Sequence, residues 1–237
     1  MKKEKTITVR RQKIQPDRTK KRLCFFVFLT ALLLLTVVFA EQICPYDPNA
    51  QDTGAALLPP GAGHLAGTDR FGRDMLSRIL VGLKTSVTST LILVVVVTVT
   101  GSILGLICGY FGGIADTVIM RISDICLAFP GLVFAMAIAA LLNGGISNAV
   151  LALALISWPK YARIARSQTL TVKNTNYMAA SQLAGCTAAQ MIWRHILPNI
   201  AGPILVTSML DIGTMMMELA GLSFLGLGAQ PPTAELG

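Results

Sequence analysis

Between Leu23 and Ala40 the chain runs 18 residues without a charged side chain, and further long apolar runs follow. A helix needs about 20 predominantly apolar residues to cross the hydrocarbon core of a bilayer. In that solvent each backbone N–H and C=O must be satisfied inside the protein, so a chain of repeated long apolar runs is driven to spanning helices. Composition agrees. Charged residues make up 14% of the chain and hydrophobic ones 53%, where soluble domains carry about 25% charged residues. The expected class is an all-α integral membrane protein, a polytopic helical bundle.

The net charge of +8 is not a nucleic-acid footprint. Ten of the twenty Lys and Arg lie in residues 2–22, directly ahead of the first apolar run. That is the positive-inside pattern, and anionic headgroups would reinforce it. Residues 1–22 therefore read as a basic cytoplasmic tail and 23–40 as a first transmembrane helix. The expected product is a multi-pass protein of the cell membrane with its N-terminus in the cytoplasm. A cleaved signal peptide ending at Val38-Phe39-Ala40 is the alternative. The run is longer than the 7–15-residue core of such signals, and the rest of the chain is also apolar. The five cysteines (Cys24, Cys44, Cys108, Cys126, Cys186) form no CxxC pair and are odd in number, which predicts packing residues and no metal site.

Residues 41–85 hold five acids and four bases and should lie outside. Within them Gly67-Thr68-Asp69-Arg70-Phe71-Gly72-Arg73-Asp74 precedes a helical pattern of Met75, Leu76, Ile79, Leu80 and Leu83. The pattern predicts an interfacial helix after a polar turn. Asp69, Arg73, Asp74 and Arg78 are expected to pair locally at the helix start. A second span runs over 87–110, with Gly101, Gly105 and Gly109 four apart; such spacing lets helices approach closely. A third helix covers 115–142, with Asp116, Arg121 and Asp124 below the bilayer core and a kink at Pro130. A short fourth span over 146–158 ends at Pro159.

The next stretch, 159–200, carries Lys160, Arg163, Arg166, Lys173 and Arg194 and no acid. Its pattern is a helix over 175–184, a stop at Gly185, and a second helix opened by Thr187 with Gln190 at capping-box spacing. That helix is expected to end near Ile196, before Leu197-Pro198. The result is a compact basic knob on the cytoplasmic side; a plain solvated loop is the other reading. A fifth span, 201–222, contains Asp211 and Glu218, seven apart on one face. Acids in a span face the bundle interior or a watery path. They could line a translocation path that attracts cations or bond structurally to neighbouring helices. Met215-Met216-Met217 spread around the helix and read as packing residues.

No phosphate-cradling Gly-rich loop with Lys-Ser/Thr is present, and no Ser-His-Asp, Cys-His or metal-ligand cluster appears beside the two histidines, His64 and His195. The chain is not expected to be an enzyme, and no cofactor of its own is expected.

Two motifs carry a resemblance. Tyr177-Met178-Ala179-Ala180-Ser181-Gln182-Leu183-Ala184-Gly185, nine residues, then His195-Ile196-Leu197-Pro198-Asn199 resembles the EAA loop of ABC-importer permeases. Ala180, Gly185, Leu197 and Pro198 match that pattern; Ala179 stands where Glu is usual and Ser181 where the second Ala is usual. The run from Gly67 through Asp69, Gly72, Arg73, Asp74, Ser77, Arg78 and Gly82 to Ser86 resembles the hallmark of the second permease of the dipeptide/oligopeptide/nickel group. Ser223-Phe224-Leu225-Gly226-Leu227-Gly228 ahead of Pro231-Pro232 is also similar to this branch.

The resemblance covers nearly all of 64–237 and implies a type I, MetI-like permease fold. It implies a heterodimer with a sister permease, two ATP-binding subunits that hold ATP and Mg²⁺, and an extracellular substrate-binding protein. It implies that 177–198 is a coupling helix docking on the ATPase. It also implies a sixth span after a Trp-Gly. Here Leu236 replaces that Trp and the sequence stops at Gly237, so five spans are expected in 86–237 and the N-terminal segment together, as in a fragment or a truncated product. A non-transporting membrane scaffold is the alternative of another class. Three local details resemble nickel permeases: Asp211-Ile212-Gly213 before Met215-Met216, Ala220-Gly221 ahead of SFLGLG, and the missing Glu of the EAA loop. They favour nickel, as a chelate, over short peptides.

Overall fold

The computed structural model describes residues 16–237. Most of residues 1–22, the basic tail of the sequence reading, lies outside the described residues. The elements are α1 (Pro16–Val38), α2 (Ala40–Ile43), α3 (Met75–Phe111), α4 (Gly113–Ala128), α5 (Gly131–Leu141), α6 (Ile146–Lys173), α7 (Asn176–Leu183), α8 (Ala188–Met191) and α9 (Leu197–Phe224). Among the described residues three stretches are long and apolar enough to cross a membrane: Thr19–Val38, Met75–Phe111 and Ala188–Phe224. The α4–α5 pair, bent by 96°, makes a fourth if it counts as one crossing. The expected fourth span falls in α6, which is not among these apolar stretches because its second half carries Lys160, Arg163, Arg166 and Lys173.

The helices connect two poles. One holds residues 44–74, the turn at 142–145 and the segment 225–237; the other holds the end of α3, the start of α4 and residues 174–196. Lys173 Nζ donates to Tyr110 O (2.7 Å) at the second pole. At the first, Leu236 N donates to Ser86 Oγ (3.2 Å).

The α3 helix shows what membrane burial selects. Its buried face includes the small residues Gly82, Ser86, Thr90, Gly101, Gly105 and Gly109 beside Leu93, Val94, Val97 and Leu106, while Ile92, Val95, Val99 and Ile103 are exposed. Lipid tails are as apolar as these aliphatic chains, so burying them gains little, and small residues that let backbones touch define the interface. A side chain at Gly101 would lie 2.5 Å from Trp158 O, and one at Gly105 would overlap Ala162 O. Along this face α3 and α6 run parallel from pole to pole. The expected inside packing of the second span is what the structure has.

Several boundaries differ from the sequence reading. No separate interfacial helix precedes the second span. Met75 to Phe111 is one helix of 37 residues, because nothing between Leu83 and Val87 interrupts helical hydrogen bonding. Pro159 does not end the fourth span either; α6 continues to Lys173 with Pro159 buried inside it. An interior proline costs about 3 kcal/mol. Here the turns beyond it place Lys160, Arg163 and Arg166 against acids of α4 and α9, partners that the local sequence does not reveal. The knob therefore begins near Asn174. Leu197-Pro198 does not stop a helix: a π turn, Ile192–Ile196, joins α8 to α9, and Leu197 N donates to Ile192 O five residues back. Pro198 offers no N–H to this continuous ladder, and it lies in the first turn of α9 directly after the π turn. At Pro130 the expected kink is a full break between α4 and α5.

Candidate functional site

The Asp69–Arg78 motif builds a closed turn at the first pole. Asp69 Oδ1 accepts from Phe71 N (2.8 Å) and Arg73 N (3.0 Å), and Oδ2 accepts from Arg73 Nε (2.7 Å). Arg78 stands 3.9 Å from the same oxygen and donates to Pro48 O (3.0 Å). Asp74 caps α3: its Oδ2 accepts from Ser77 N (2.8 Å) and Ser77 Oγ (2.6 Å), and its Oδ1 meets His64 Nδ1 (2.9 Å). Gly72 is buried with φ +73°, and a side chain there would overlap Asp52 O. Burial pushes the Asp69 carboxyl up, but the bonds from Arg73 and Phe71 more than reverse this and hold it below the ordinary carboxylate range. For Asp74, burial likewise raises, and Ser77 and His64 pull the carboxyl net below its ordinary value. Asp69, Arg73, Asp74 and Arg78 each find a polar partner inside the motif or in the adjoining loop.

The knob at the second pole is α7, a turn at Gly185 with φ +84°, and α8 with a complete Thr187–Gln190 capping box. Met178, Met191 and Ile196 anchor it in the core. Ala179, Ala180 and Gly185 are exposed, and Ser181 Oγ donates back to Tyr177 O (2.9 Å). Tyr177 packs by its ring near His195 (6.1 Å between centroids), and Asn199 Nδ2 donates to Tyr177 Oη (3.3 Å). Leu183 is 90% exposed and Trp193 72%. Beside Ala179 a hollow of about 300 Å³ is lined by Tyr110, Lys173, Met178, Gln182 and Met191. Pro198 is exposed and Leu197 half-buried at the exit into α9.

Between the poles the α4–α5 elbow, α6 and α9 enclose a cavity of about 180 Å³. Its walls include Cys126, Phe129, Ser157, Lys160, Asp211, Thr214, Met215 and Glu218. Asp211 is buried, and both its oxygens accept from Lys160 Nζ (2.7 Å each); Oδ2 also accepts from Tyr161 Oη (2.9 Å). Asp211 thus bonds to a neighbouring helix, one of the two roles weighed from the sequence. Glu218 is half-buried and has no hydrogen bond or ion pair among the described residues. Below the cavity α6 is clamped to α4 by Arg163 on Asp124 (2.5 Å) and by a two-pronged Arg166–Asp116 pair (2.5 and 2.6 Å). Sequence reasoning missed Lys160 and Tyr161 as partners of Asp211. The signal was there in part: Lys160, Arg163 and Arg166 fall three apart, one face of a continuing helix.

Residues 101–237 match the family described as Binding-protein-dependent transport system inner membrane component. The chain belongs to this permease family. The permease is 44% identical over 209 residues to the probable D,D-dipeptide transport system permease protein of Escherichia coli K12, covering 88% of this chain and 70% of that one. It is 40% identical over 217 residues to the dipeptide transport system permease protein of Haemophilus influenzae Rd (89% and 73% covered). It is 36% identical over 211 residues to the nickel transport system permease protein of Escherichia coli K12 (89% and 76% covered). It is a multi-pass membrane permease subunit of a binding-protein-dependent importer, a transport component and not an enzyme.

Proposed function

We propose that this permease forms half of the translocation path of an ATP-driven importer of short peptides. The knob supports the coupling part of this reading. It hangs from the end of α6 and passes without a break through α8 and the π turn into α9, so force on the knob reaches both helices that carry the cavity's charges. Two ATP-binding subunits hold ATP and Mg²⁺ and grip the knob from the cytosol; the N-terminus is on that side. A sister permease supplies the other half of the path, and an external binding protein delivers cargo at the pole of the Asp69 motif. The similarity to peptide permeases exceeds that to the nickel permease, which supports peptide over nickel. Nickel chelate is the second reading, favoured by the Asp211-Ile212-Gly213, Met215-Met216 and Ala220-Gly221 details.

The test is reconstitution of the complete importer with Ala180→Cys in the knob. Nucleotide-dependent dialanine uptake and a crosslink from position 180 to an ATP-binding subunit are expected. Labelling of that cysteine from the external side, or uptake independent of ATP, would sink the reading.

A further inference from the structure

We propose that the elbow cavity is a dipolar subsite that reads both charged ends of a zwitterionic di- or tripeptide, Lys160 taking the carboxylate and Glu218 the ammonium. The inference rests on the importer reading above. It starts from unspent capacity. A lysine ammonium has three N–H donors, and Lys160 commits two of them to the Asp211 oxygens. Its side chain is 51% exposed while that of Asp211 is 9% exposed, so the third donor faces open space without the pair having to break. Asp211 keeps Tyr161 Oη as a further donor, which holds the carboxylate in place as cargo approaches. Glu218 lines the same cavity with no partner of its own.

The Lys160 ammonium sits on Asp211, and Asp211 and Glu218 are seven residues apart on α9, about 10 Å along the helix axis. An extended peptide spans at most about 3.6 Å per residue, so three residues cover that distance, and two cover it together with a hydrogen bond of about 3 Å at one end. Ser157 and Thr214 add hydroxyls, and Leu153, Ile156 and Met215 add apolar wall for side chains of varied shape. A bare divalent cation fits less well. Asp211 is closed onto an ammonium that repels cations, and among the described residues no three His, Cys, Asp or Glu side chains gather to hold a metal.

Cys126 lines the cavity and gives a direct reporter. In the complete importer in nanodiscs, with Cys24, Cys44, Cys108 and Cys186 changed to Ser, a neutral maleimide is timed on Cys126. Dialanine, N-acetyl-dialanine and dialanine amide at equal concentration serve as protectants. Dialanine is expected to protect about tenfold better than either blocked peptide, one charge-assisted hydrogen bond's worth. Glu218→Gln should erase the preference over the acetylated peptide only. Lys160→Met with Asp211→Asn, a pair chosen so that no buried charge is stranded, should erase the preference over the amide only. Equal protection by all three peptides, or an unchanged pattern in both variants, overturns the proposal. If the parent importer takes up dialanine while Cys126 stays unprotected, this subsite falls and the peptide importer stands. If it takes up no peptide, the cargo reading itself falls.

Discussion

Two clusters of charge in this permease follow opposite rules. Around Asp69 the partners Phe71, Arg73 and Arg78 lie within nine residues, and all the capacity of the carboxylate is used. Around Asp211 the partners come from α6, fifty residues away, and a donor of Lys160 and the whole of Glu218 are left over. A closed local cluster fixes a turn. An open one assembled from distant helices can exchange partners with a passing molecule. The first kind should govern stability and the second transport, and this division can be broken by experiment.

The largest expected effect is at the closed cluster. Asp69→Ala strands Arg73, and removing one partner of a buried pair costs on the order of 3 kcal/mol. The thermal midpoint in detergent should drop by several degrees, while selectivity per folded molecule stays put; a selectivity change without a stability loss would invert the comparison. Acid probes the same cluster. Asp69 and Asp74 titrate lower folded than unfolded. Their contribution is therefore present above the ordinary carboxylate pKa of about 4 and fades as pH falls through the depressed folded values. Melting curves should be flat from neutral pH to about 4 and decline below it, and the decline should be smaller in Asp69→Asn.

At the knob, Gly185→Val puts a β-branched residue at φ +84°, a strain of about 1–2 kcal/mol. Roughly tenfold weaker co-purification of the ATP-binding subunits should follow, with the bundle itself intact by melting. Thr187→Ala removes the capping-box acceptor and should cost about 1 kcal/mol, read as faster amide exchange in α8. Smallest in stability is Glu218→Gln, within about 0.5 kcal/mol, since no partner is lost. Its effect belongs in cargo uptake. A large melting shift there would show that Glu218 is a structural member like Asp69.

The sequence by itself determined that this is a helical membrane bundle, where its small-residue interface lies, and that a helix–Gly–helix knob interrupts it. These are short-range facts. Apolar run length, the four-residue spacing of Gly101, Gly105 and Gly109, and the Thr187–Gln190 cap each act over a few residues. The turn around Asp69 was legible for the same reason. Only the tertiary structure decided that Pro159 lies inside a helix, that Leu197-Pro198 begins one, and that the bases of 160–166 are clamped by Asp116, Asp124 and Asp211. A proline's local penalty can be outweighed by ion pairs to helices far along the chain, and the energy of those pairs depends on distances that no local pattern encodes. For that reason the sequence named both acids of α9, and the fold assigned Asp211 to Lys160 and left Glu218 facing the cavity.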